Sequence, residues 1–387
     1  MRPRLPTTLM LKPVGAGCNL RCSYCYYRGD RDPGQQMSLE LVEAIFTGAL
    51  PDAGDVVNVC WQGGEPTLAG LDFYEHVLEV QGRFTRPGQR LHHALMTNAT
   101  LLDDDWCRFL ARTGFLVGVS VDGQKLVHDR YRVNAAGQGS YAEVARGIRL
   151  LRKYRVPYNL LAVVTDANVG APQATWDHLM ALGGEWLQLI PAIEWRADET
   201  VGSRGLAPFV VEPAGYGRFL ADLFDLWESR KRRRVTVRLF DSALATLVLG
   251  SATVCTQARR CNDQLTIEAD GSVYACDHFA IDAWRLGRVE VGTAAAGPTW
   301  VDQLDWHRFA EFADRKAALS AACERCDHLR FCFGGCPKHR GTPDAPTVLC
   351  EATKYWLRHA LPRLEELADE LRRGVRRPLR RAPARAS

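Results

Sequence analysis

The stretch that decides the fold is Leu9-Met-Leu-Lys-Pro-Val14 followed, after three small residues, by Cys18-Asn-Leu-Arg-Cys22-Ser-Tyr-Cys25. The first run is apolar and has the length of a buried strand, and the loop after it carries three cysteines. Three thiolates in one loop can bind three irons of a [4Fe–4S] cluster and leave the fourth iron open to a chelating ligand. A zinc site or free thiols are the alternatives, but zinc sites usually have four ligands and no nearby histidine supplies the fourth.

Apolar strand candidates alternate with amphipathic helix candidates from residue 9 to about residue 192. The predicted strands are Leu9–Val14, Val56–Trp61, His93–Thr97, Leu116–Val121, Asn159–Thr165 and Trp186–Pro191. The predicted helices between them are Leu39–Ala49, Phe73–Phe84, Asp104–Arg112, Tyr141–Tyr154 and Thr175–Ala181. Strands separated by helices predict a parallel sheet, and six such units fit a partial (β/α)6 TIM-like barrel. Chemistry in such barrels gathers at the carboxyl ends of the strands.

The second part of the chain has a different pattern, in which cysteines dominate from residue 255 to residue 350. The predicted elements there are a helix at Tyr216–Arg230, a strand at Val235–Leu239, a hairpin of Leu265–Ile267 with Val273–Ala275 around Asp270-Gly271, and a closing helix at Lys354–Leu371. We therefore predict an α/β chain with three parts. They are a catalytic barrel at residues 1–230, a small cysteine-rich domain at 231–371 and a disordered arginine-rich tail at 372–387.

The cysteine-rich region holds enough thiols for two further metal sites. Of the thirteen cysteines in the chain, eight lie in this region: Cys255, Cys261, Cys276, Cys323, Cys326, Cys332, Cys336 and Cys350. In a large chain without a secretory signal, such clusters favour metal binding over disulfides. A module with two zinc ions is an alternative, but the cysteine loop near the N-terminus favours iron–sulfur clusters.

The charge distribution and hydropathy exclude several function classes. The formal net charge is +4, and seven arginines with no acids lie between Arg372 and Ser387. Removing those seven charges leaves −3 for the rest of the chain, which argues against a nucleic-acid enzyme because such an enzyme would show a basic face on its folded body. No apolar stretch is long enough to span a bilayer, and Met1–Lys12 lacks the apolar run of a secretory signal. We therefore expect a cytoplasmic protein.

The cysteine loop and the motifs after it resemble the radical S-adenosylmethionine (SAM) superfamily, in which the amino and carboxyl groups of SAM bind the open iron. The run Trp61-Gln-Gly-Gly-Glu-Pro66 stands where that superfamily has its SAM motif. By this resemblance, the residues expected to bind SAM are Gly63, Gly64, Glu65, Asn98, Ser120, Arg132 and Leu189. A surface ion pair is the alternative role for Arg132.

The spacing Cys323-x2-Cys326-x5-Cys332-x3-Cys336, with Cys350 downstream, resembles the SPASM extension of radical SAM enzymes. The resemblance implies three [4Fe–4S] clusters, of which the first uses Cys18, Cys22 and Cys25. It implies one auxiliary cluster on Cys255, Cys261, Cys276 and Cys336, and a second on Cys323, Cys326, Cys332 and Cys350. Spacing alone does not give this partition.

Longer runs resemble anaerobic sulfatase-maturating enzymes, which convert a cysteine or serine of a sulfatase into Cα-formylglycine. These runs are residues 61–73, 101–109, 129–133, 271–277 and 284–287. The resemblance implies that Asp277 is a general base and that Tyr24 and Gln62 lie near the substrate. The alternatives are a turn carboxylate for Asp277, an aromatic side chain packed on the cysteine loop for Tyr24, and a hydrogen bonder at a strand end for Gln62. The sequence departs from the family at Asn98-Ala-Thr100, where Asn-Gly-Thr is usual.

The implied reaction begins with an electron from the first cluster, which cleaves SAM to a 5′-deoxyadenosyl radical. The radical removes a Cβ hydrogen from the target residue, Asp277 takes the thiol or hydroxyl proton, and an auxiliary cluster takes the remaining electron. The implied partners are a sulfatase or peptide bound in extended form and a reduced flavodoxin or ferredoxin. Related SPASM enzymes also mature ribosomal peptides, by crosslinking or other side-chain modification, and that is the alternative function. A zinc-stabilised binding protein is the alternative from another class.

Overall fold

A computed structural model describes residues 5–27, 34–198, 203–231, 235–261, 263–292 and 299–374. Its strands are β1 (Thr8–Leu11), β2 (Val56–Trp61), β3 (Arg90–Thr97), β4 (Leu116–Ser120), β5 (Tyr158–Val164), β6 (Trp186–Pro191), β7 (Trp195–Asp198), β8 (Ser203–Leu206), β9 (Thr236–Val237), β10 (Gln264–Ile267), β11 (Ser272–Tyr274) and β12 (Arg285–Arg288). Its α-helices are α1 (Leu39–Ala49), α2 (Leu71–Phe84), α3 (Asp104–Thr113), α4 (Lys125–Tyr131), α5 (Tyr141–Lys153), α6 (Pro172–Ala181), α7 (Pro213–Leu226), α8 (Arg238–Leu249), α9 (Trp306–Ala317), α10 (Ala321–Glu324) and α11 (Cys350–Arg372).

The chain forms two compact units, each assembled from separate segments. Unit 1 takes residues 1–120, 131–158 and 261–314, and unit 2 takes residues 121–130, 159–260 and 315–387. Each unit draws on both the barrel part and the cysteine-rich part of the sequence. The boundaries at residues 230 and 371 therefore stay a prediction, and residues 375–387 of the tail lie outside the described part of the chain.

Unit 1 contains strands in the order β12-β11-β10-β1-β2-β3-β4. Strands β1 to β4 and β10 are parallel, with Leu9 paired to Val59 on one side and to Leu265 on the other. Because β1 to β4 run in one direction, their carboxyl ends lie at one edge of the sheet. The loops that follow these four strands therefore come together, and they carry the cysteine loop and the motifs identified from the sequence.

An aromatic cluster fills the core of unit 1 between β2, β3, α2 and α3. The indole of Trp61 is fully buried and lies edge-on to the ring of Tyr74, with centroids 5.3 Å apart. Tyr74 in turn lies edge-on to Trp106, at 5.5 Å. The side chain of Asp103 caps α3 by accepting the Trp106 N–H at 2.8 Å, which fixes where this helix begins. This packing fixes the end of β2, where Gln62 and the glycines of the SAM motif begin.

Unit 2 contains the parallel strands β5, β6 and β9 and a helical layer of α7, α8 and α11. The rings of Trp227, Phe240 and Trp356 form its buried core. Gly217 on α7 allows α11 to pack closely, because a Cβ there would lie 3.0 Å from the Cα of Ala352. Arg363 on α11 donates a hydrogen bond to Asp225 at 2.7 Å. Among the described helices of the chain, none is long and apolar enough to cross a membrane.

The observed elements confirm the predicted alternation of strands and helices, with differences in both halves. The first strand ends at Leu11 and not at Val14, and helix α4 was not predicted. The predicted hairpin is present as β10 and β11, and Gly271 in its turn has a φ of +87°. The strand expected at Val235–Leu239 is only two residues long, and α8 begins directly after it at Arg238. The closing helix begins at Cys350, four residues earlier than expected, so this cysteine lies in its first turn.

Candidate active site

The cysteine loop follows β1 in unit 1, and its three thiols lie close to one another. The pKa of the Cys18 thiol is raised to about 11, mainly by burial. A hydrogen bond from the Leu20 N–H lowers it, and the nearby Glu65, Cys22 and Cys25 contribute to the rise. All thirteen cysteines lie in the described part of the chain, and none of them forms a disulfide bond there. Three thiols on one loop are the donor set that an iron–sulfur cluster with an open iron requires. The arrangement therefore fits the predicted first cluster.

The SAM motif after β2 packs directly on the cysteine loop. The N–H of Gly64 donates to the carbonyl of Gly15 at 2.8 Å, and the N–H of Glu65 donates to the carbonyl of Gly17 at 2.7 Å. A Cβ on Gly64 would lie 1.8 Å from the Gly17 carbonyl oxygen, far inside van der Waals contact. Glycine is therefore required at position 64 by backbone packing on the loop, in addition to any approach of SAM.

Glu65 is a fully buried carboxylate that joins the ends of β2 and β3. It accepts hydrogen bonds from the N–H and hydroxyl of Thr67, the hydroxyl of Thr97 and the N–H of Asn98. Burial raises the pKa of Glu65, and these hydrogen bonds only partly oppose the shift. The amide of Asn98 donates to Asn19 at 2.8 Å, so the third strand end is also tied to the cysteine loop. Glu65 and Asn98 thus hold the loop in place.

The remaining residues predicted to bind SAM lie in both units. Ser120 ends β4 in unit 1, and Arg132 of the same unit is only 7% exposed and donates to the hydroxyl of Tyr24 at 3.0 Å. This burial excludes the alternative of a surface ion pair for Arg132. Leu189 is a buried residue of β6 in unit 2, paired with Ala162. The SAM-binding roles of these three residues stay a prediction.

Asp277 is buried at the centre of a hydrogen-bond network within unit 1. The hydroxyl of Tyr26 donates to its Oδ2 at 2.6 Å, and the amide of Gln62 donates to that hydroxyl at 2.8 Å. Gln264 and Cys276 lie 3.4 and 3.6 Å from its Oδ1. The carboxylate is thereby linked to the cysteine loop through Tyr26, to the SAM motif through Gln62, and to a predicted cluster ligand through Cys276.

The electrostatic surroundings keep Asp277 ionised. Burial alone would raise the pKa of its carboxyl, but the neighbouring His278, Lys12 and the Tyr26 hydrogen bond together hold the pKa well below its usual range. Burial and the nearby Asp277 charge have the opposite effect on Tyr26, whose pKa is raised well above its ordinary value. At neutral pH, Tyr26 is therefore a donor and Asp277 an acceptor. The role of Asp277 as a general base stays a prediction.

Two residues of this network were not predicted from the sequence. Tyr26 follows the last cysteine of the loop and forms hydrogen bonds with both Gln62 and Asp277. The hydroxyl of the predicted Tyr24 instead accepts a hydrogen bond from Arg132. Lys12, directly after β1, is fully buried with its Nζ 3.9 Å from Oδ2 of Asp277. A lysine that continues an apolar strand is the sequence signal that could have identified Lys12. The substrate-binding role of Tyr24 stays a prediction.

The second auxiliary set of cysteines lies within unit 2. Burial raises the pKa of the Cys332 thiol, and Cys323, Cys326 and Cys350 raise it further because their thiols are near. Cys323 and Cys326 also contribute to the raised pKa of the Cys350 thiol, of which burial is the main cause. The thiols of this predicted set therefore lie near enough to affect one another's pKa, and their grouping in one cluster stays a prediction.

The first auxiliary set divides between the units, with Cys261 and Cys276 in unit 1 and Cys255 and Cys336 in unit 2. Its grouping stays a prediction. Among the described side chains, no group of three or more histidines, cysteines or acids is arranged around a single metal ion. In a four-iron cluster each cysteine thiolate binds a different iron, so its ligands stand apart from one another.

Replacing Gly64 by alanine should disrupt the cysteine loop, because the new methyl group has no space beside the Gly17 carbonyl. We expect Gly64→Ala to lose most of the iron bound by the first cluster and to unfold at a lower temperature. The matched control is Gly82→Ala on α2, where nothing lies within 4 Å of the new Cβ. That change should keep the iron and stabilise the chain by about 0.5–1 kcal/mol. Iron content and thermal unfolding of both variants test this, and full iron retention in Gly64→Ala would contradict it.

Known proteins resemble this chain over nearly its full length. Residues 13–182 match the radical SAM superfamily. The chain is 32% identical over 378 residues to the cysteine-type anaerobic sulfatase-maturating enzyme of Clostridium perfringens, which covers 95% of this chain and 100% of that enzyme. It is 34% identical over 392 residues to the serine-type anaerobic sulfatase-maturating enzyme of Bacteroides thetaiotaomicron, with 95% and 92% covered.

A solved structure, native anSMEcpe with bound AdoMet and Cp18Cys peptide, has the same fold. Its TM-score is 0.85 at 32% sequence identity, and the match covers 94% of this chain and 99% of that chain. This likeness confirms the predicted α/β fold of the radical SAM type. The chain belongs to the radical SAM superfamily and, within it, to the family of anaerobic sulfatase-maturating enzymes.

Proposed function

We propose that this enzyme oxidises a cysteine or serine of a sulfatase or peptide substrate to Cα-formylglycine. The observation that carries the proposal is the position of Asp277, a buried and ionised carboxylate connected to both the cysteine loop and the SAM motif. A base in that position can take the thiol or hydroxyl proton of a substrate side chain from whose Cβ the radical removes a hydrogen atom. The similarity to both cysteine-type and serine-type relatives supports either target residue.

The groups that the reaction requires would be held by residues already described. Cys18, Cys22 and Cys25 would hold the first [4Fe–4S] cluster, and the residues predicted to bind SAM are Gly63, Gly64, Glu65, Asn98, Ser120, Arg132 and Leu189. When bound, the cluster and SAM supply the radical that removes a hydrogen atom from the substrate. The two further sets of four cysteines would hold two auxiliary [4Fe–4S] clusters.

The residues of this protein orient the target side chain and accept its proton. Tyr26 and Gln264 fix the carboxylate of Asp277, and Gln62 fixes Tyr26. A carboxylate with a lowered pKa is a weak base toward an ordinary thiol, whose pKa is about 8.5. A thiol or hydroxyl on a carbon radical is more acidic, because the charge left behind is delocalised. We therefore expect proton transfer to Asp277 only after the Cβ hydrogen has been removed.

The proposed partners and location follow the same reasoning. The substrate segment would bind in extended form, and a flavodoxin or ferredoxin would supply the electrons. The related anSMEcpe structure holds a Cp18Cys peptide, which supports a peptide substrate for this chain. Thirteen cysteines that form no disulfide bond suit a reducing compartment, so we place the enzyme in the cytoplasm.

The test is anaerobic incubation with SAM, dithionite and peptides that contain a Cys-x-Pro-x-Arg or Ser-x-Pro-x-Arg core. We expect one or both peptides to show the mass change of aldehyde formation, together with 5′-deoxyadenosine. A crosslinked peptide without aldehyde would instead indicate ribosomal-peptide maturation. Roughly twelve irons with matching sulfide per chain are expected for three four-iron clusters. Stoichiometric zinc without sulfide would rule out the enzyme function.

A further inference from the structure

Lys12 is a buried cation whose hydrogen-bonding capacity is not used within the described part of the chain. Its side chain is fully buried, and its Nζ makes no hydrogen bond to the described residues. The ammonium lies 3.9 Å from Oδ2 of Asp277 and 4.6 Å from the ring centroid of Tyr27. An ammonium group has three donors, and burying them without acceptors is unfavourable because the hydrogen bonds to water are lost and not replaced.

The surrounding packing holds the ammonium at this position. The stem of Lys12 lies against Gly63, where a Cβ would come within 3.3 Å of its Cδ, and Gly63 has a φ of +128°. Tyr27 donates its hydroxyl to Glu268, which fixes the ring whose face lies against the ammonium. Asp277 already accepts hydrogen bonds from Tyr26 and Gln264. The lysine is therefore held beside the carboxylate without being bonded to it.

A second buried lysine shows what a purely structural role looks like in this protein. Lys316 in unit 2 is also fully buried, and its Nζ donates to the carbonyls of Cys255 and Thr256, both at 2.8 Å. Lys316 thus satisfies two of its donors by binding backbone. The ammonium of Lys12 binds no carbonyl of the described chain, although its side chain is equally buried. The proposed function places the target side chain beside Asp277, and the ammonium of Lys12 lies 3.9 Å from that carboxylate.

We propose that Lys12 is a further catalytic residue, which donates a hydrogen bond to the sulfur or oxygen of the target residue as that atom loses its proton. The inference rests on the proposed function. In this step the S–H or O–H bond breaks, the proton moves to the carboxylate of Asp277, and the electron pair stays on the sulfur or oxygen. An Nζ–H···S or Nζ–H···O hydrogen bond forms, and Lys12 keeps its own proton. A fixed cation stabilises the negative charge that develops on this atom.

The test compares Lys12→Met, which keeps the length of the side chain without its charge, with Lys12→Gln, which keeps a neutral donor. We expect Lys12→Met to retain iron, sulfide and affinity for the cysteine peptide. It should still transfer deuterium from a Cβ-deuterated cysteine peptide into 5′-deoxyadenosine. The yield of aldehyde per 5′-deoxyadenosine should fall by about 100- to 1000-fold, as for the loss of one donor to a developing anion. Lys12→Gln should fall less.

The control is Lys153→Met, which removes an exposed lysine of unit 1 that pairs with Asp104. Its aldehyde yield should equal that of the unmodified enzyme. A wild-type aldehyde yield in Lys12→Met at full iron content would overturn the inference, and so would a parallel loss of iron, hydrogen transfer and aldehyde in both Lys12 variants, since that indicates a structural role. The proposed function is judged separately, by whether the unmodified enzyme forms aldehyde at all.

Discussion

Replacing Cys18, Cys22 and Cys25 together by alanine should abolish SAM cleavage. The three thiols are the whole donor set of the cysteine loop, so an iron–sulfur cluster with an open iron cannot form without them. The eight cysteines of the two auxiliary sets are unchanged, and we expect about two-thirds of the iron to remain, by counting four irons for each cluster. Iron and sulfide analysis and the yield of 5′-deoxyadenosine after anaerobic reduction measure both effects.

The control for this triple variant is Cys107→Ala, which removes a thiol that is buried in α3 and belongs to none of the predicted clusters. It should keep all the iron and all SAM cleavage, although the small cavity lowers stability by about 1 kcal/mol. SAM cleavage at the wild-type rate in the triple variant would show that the first cluster was assigned to the wrong cysteines. Loss of all iron would show that the auxiliary sites do not assemble independently.

The sequence predicted the parallel strands of this fold well because their signal is local. Val56–Trp61 and Trp186–Pro191 were predicted with the bounds that the structure shows, since short apolar runs between helices define such strands. Helix α8 was missed because the sequence was read as a strand at Val235–Leu239, and the tertiary packing of Phe240 on Trp227 and Trp356 selects a helix from residue 238 onward.

The site was predicted in part, and the missing residues are those that only tertiary structure brings together. Asp277 was found through family resemblance, but its bond to Tyr26 joins residues 251 positions apart in the sequence. Neither the hydrophobic periodicity of the sequence nor the spacing of its motifs indicates such a contact. The same holds for Lys12, which was read as part of the first strand and turns out to be a buried cation beside the carboxylate.

At Asn98-Ala-Thr100, where the sequence departs from the family, alanine occupies a backbone conformation that favours glycine. Ala99 has a φ of +60°, in the left-handed region where glycine is favoured, and it is fully buried. The turn holds because Asn98 and Thr97 accept the N–H groups of Thr100 and Ala99 through their side chains. The alanine thus keeps the backbone conformation that glycine would adopt more easily, and the position of Asn98 beside the cysteine loop is retained.

Replacing Asp277 by asparagine should separate SAM cleavage from product formation. The side chains are nearly equal in size, but an amide cannot accept the substrate proton as a carboxylate does. Removal of a general base commonly lowers the rate by about 100- to 10,000-fold, so we expect 5′-deoxyadenosine with little aldehyde. Deuterium from a Cβ-labelled peptide should appear in 5′-deoxyadenosine, because hydrogen removal precedes the proton transfer. Liquid chromatography with mass spectrometry measures both products in one reaction.

The structure adds a control for the stability of this variant. Asp277→Asn leaves the buried ammonium of Lys12 without the negative charge 3.9 Å away, and breaking a buried charge pair typically lowers stability by about 3–5 kcal/mol. The double variant Lys12→Met/Asp277→Asn removes that penalty while the base is still absent. We therefore expect the double variant to unfold at a higher temperature than Asp277→Asn and to form no more aldehyde. Aldehyde at the wild-type rate in Asp277→Asn, at full iron content, would remove Asp277 from the mechanism and favour a different peptide modification.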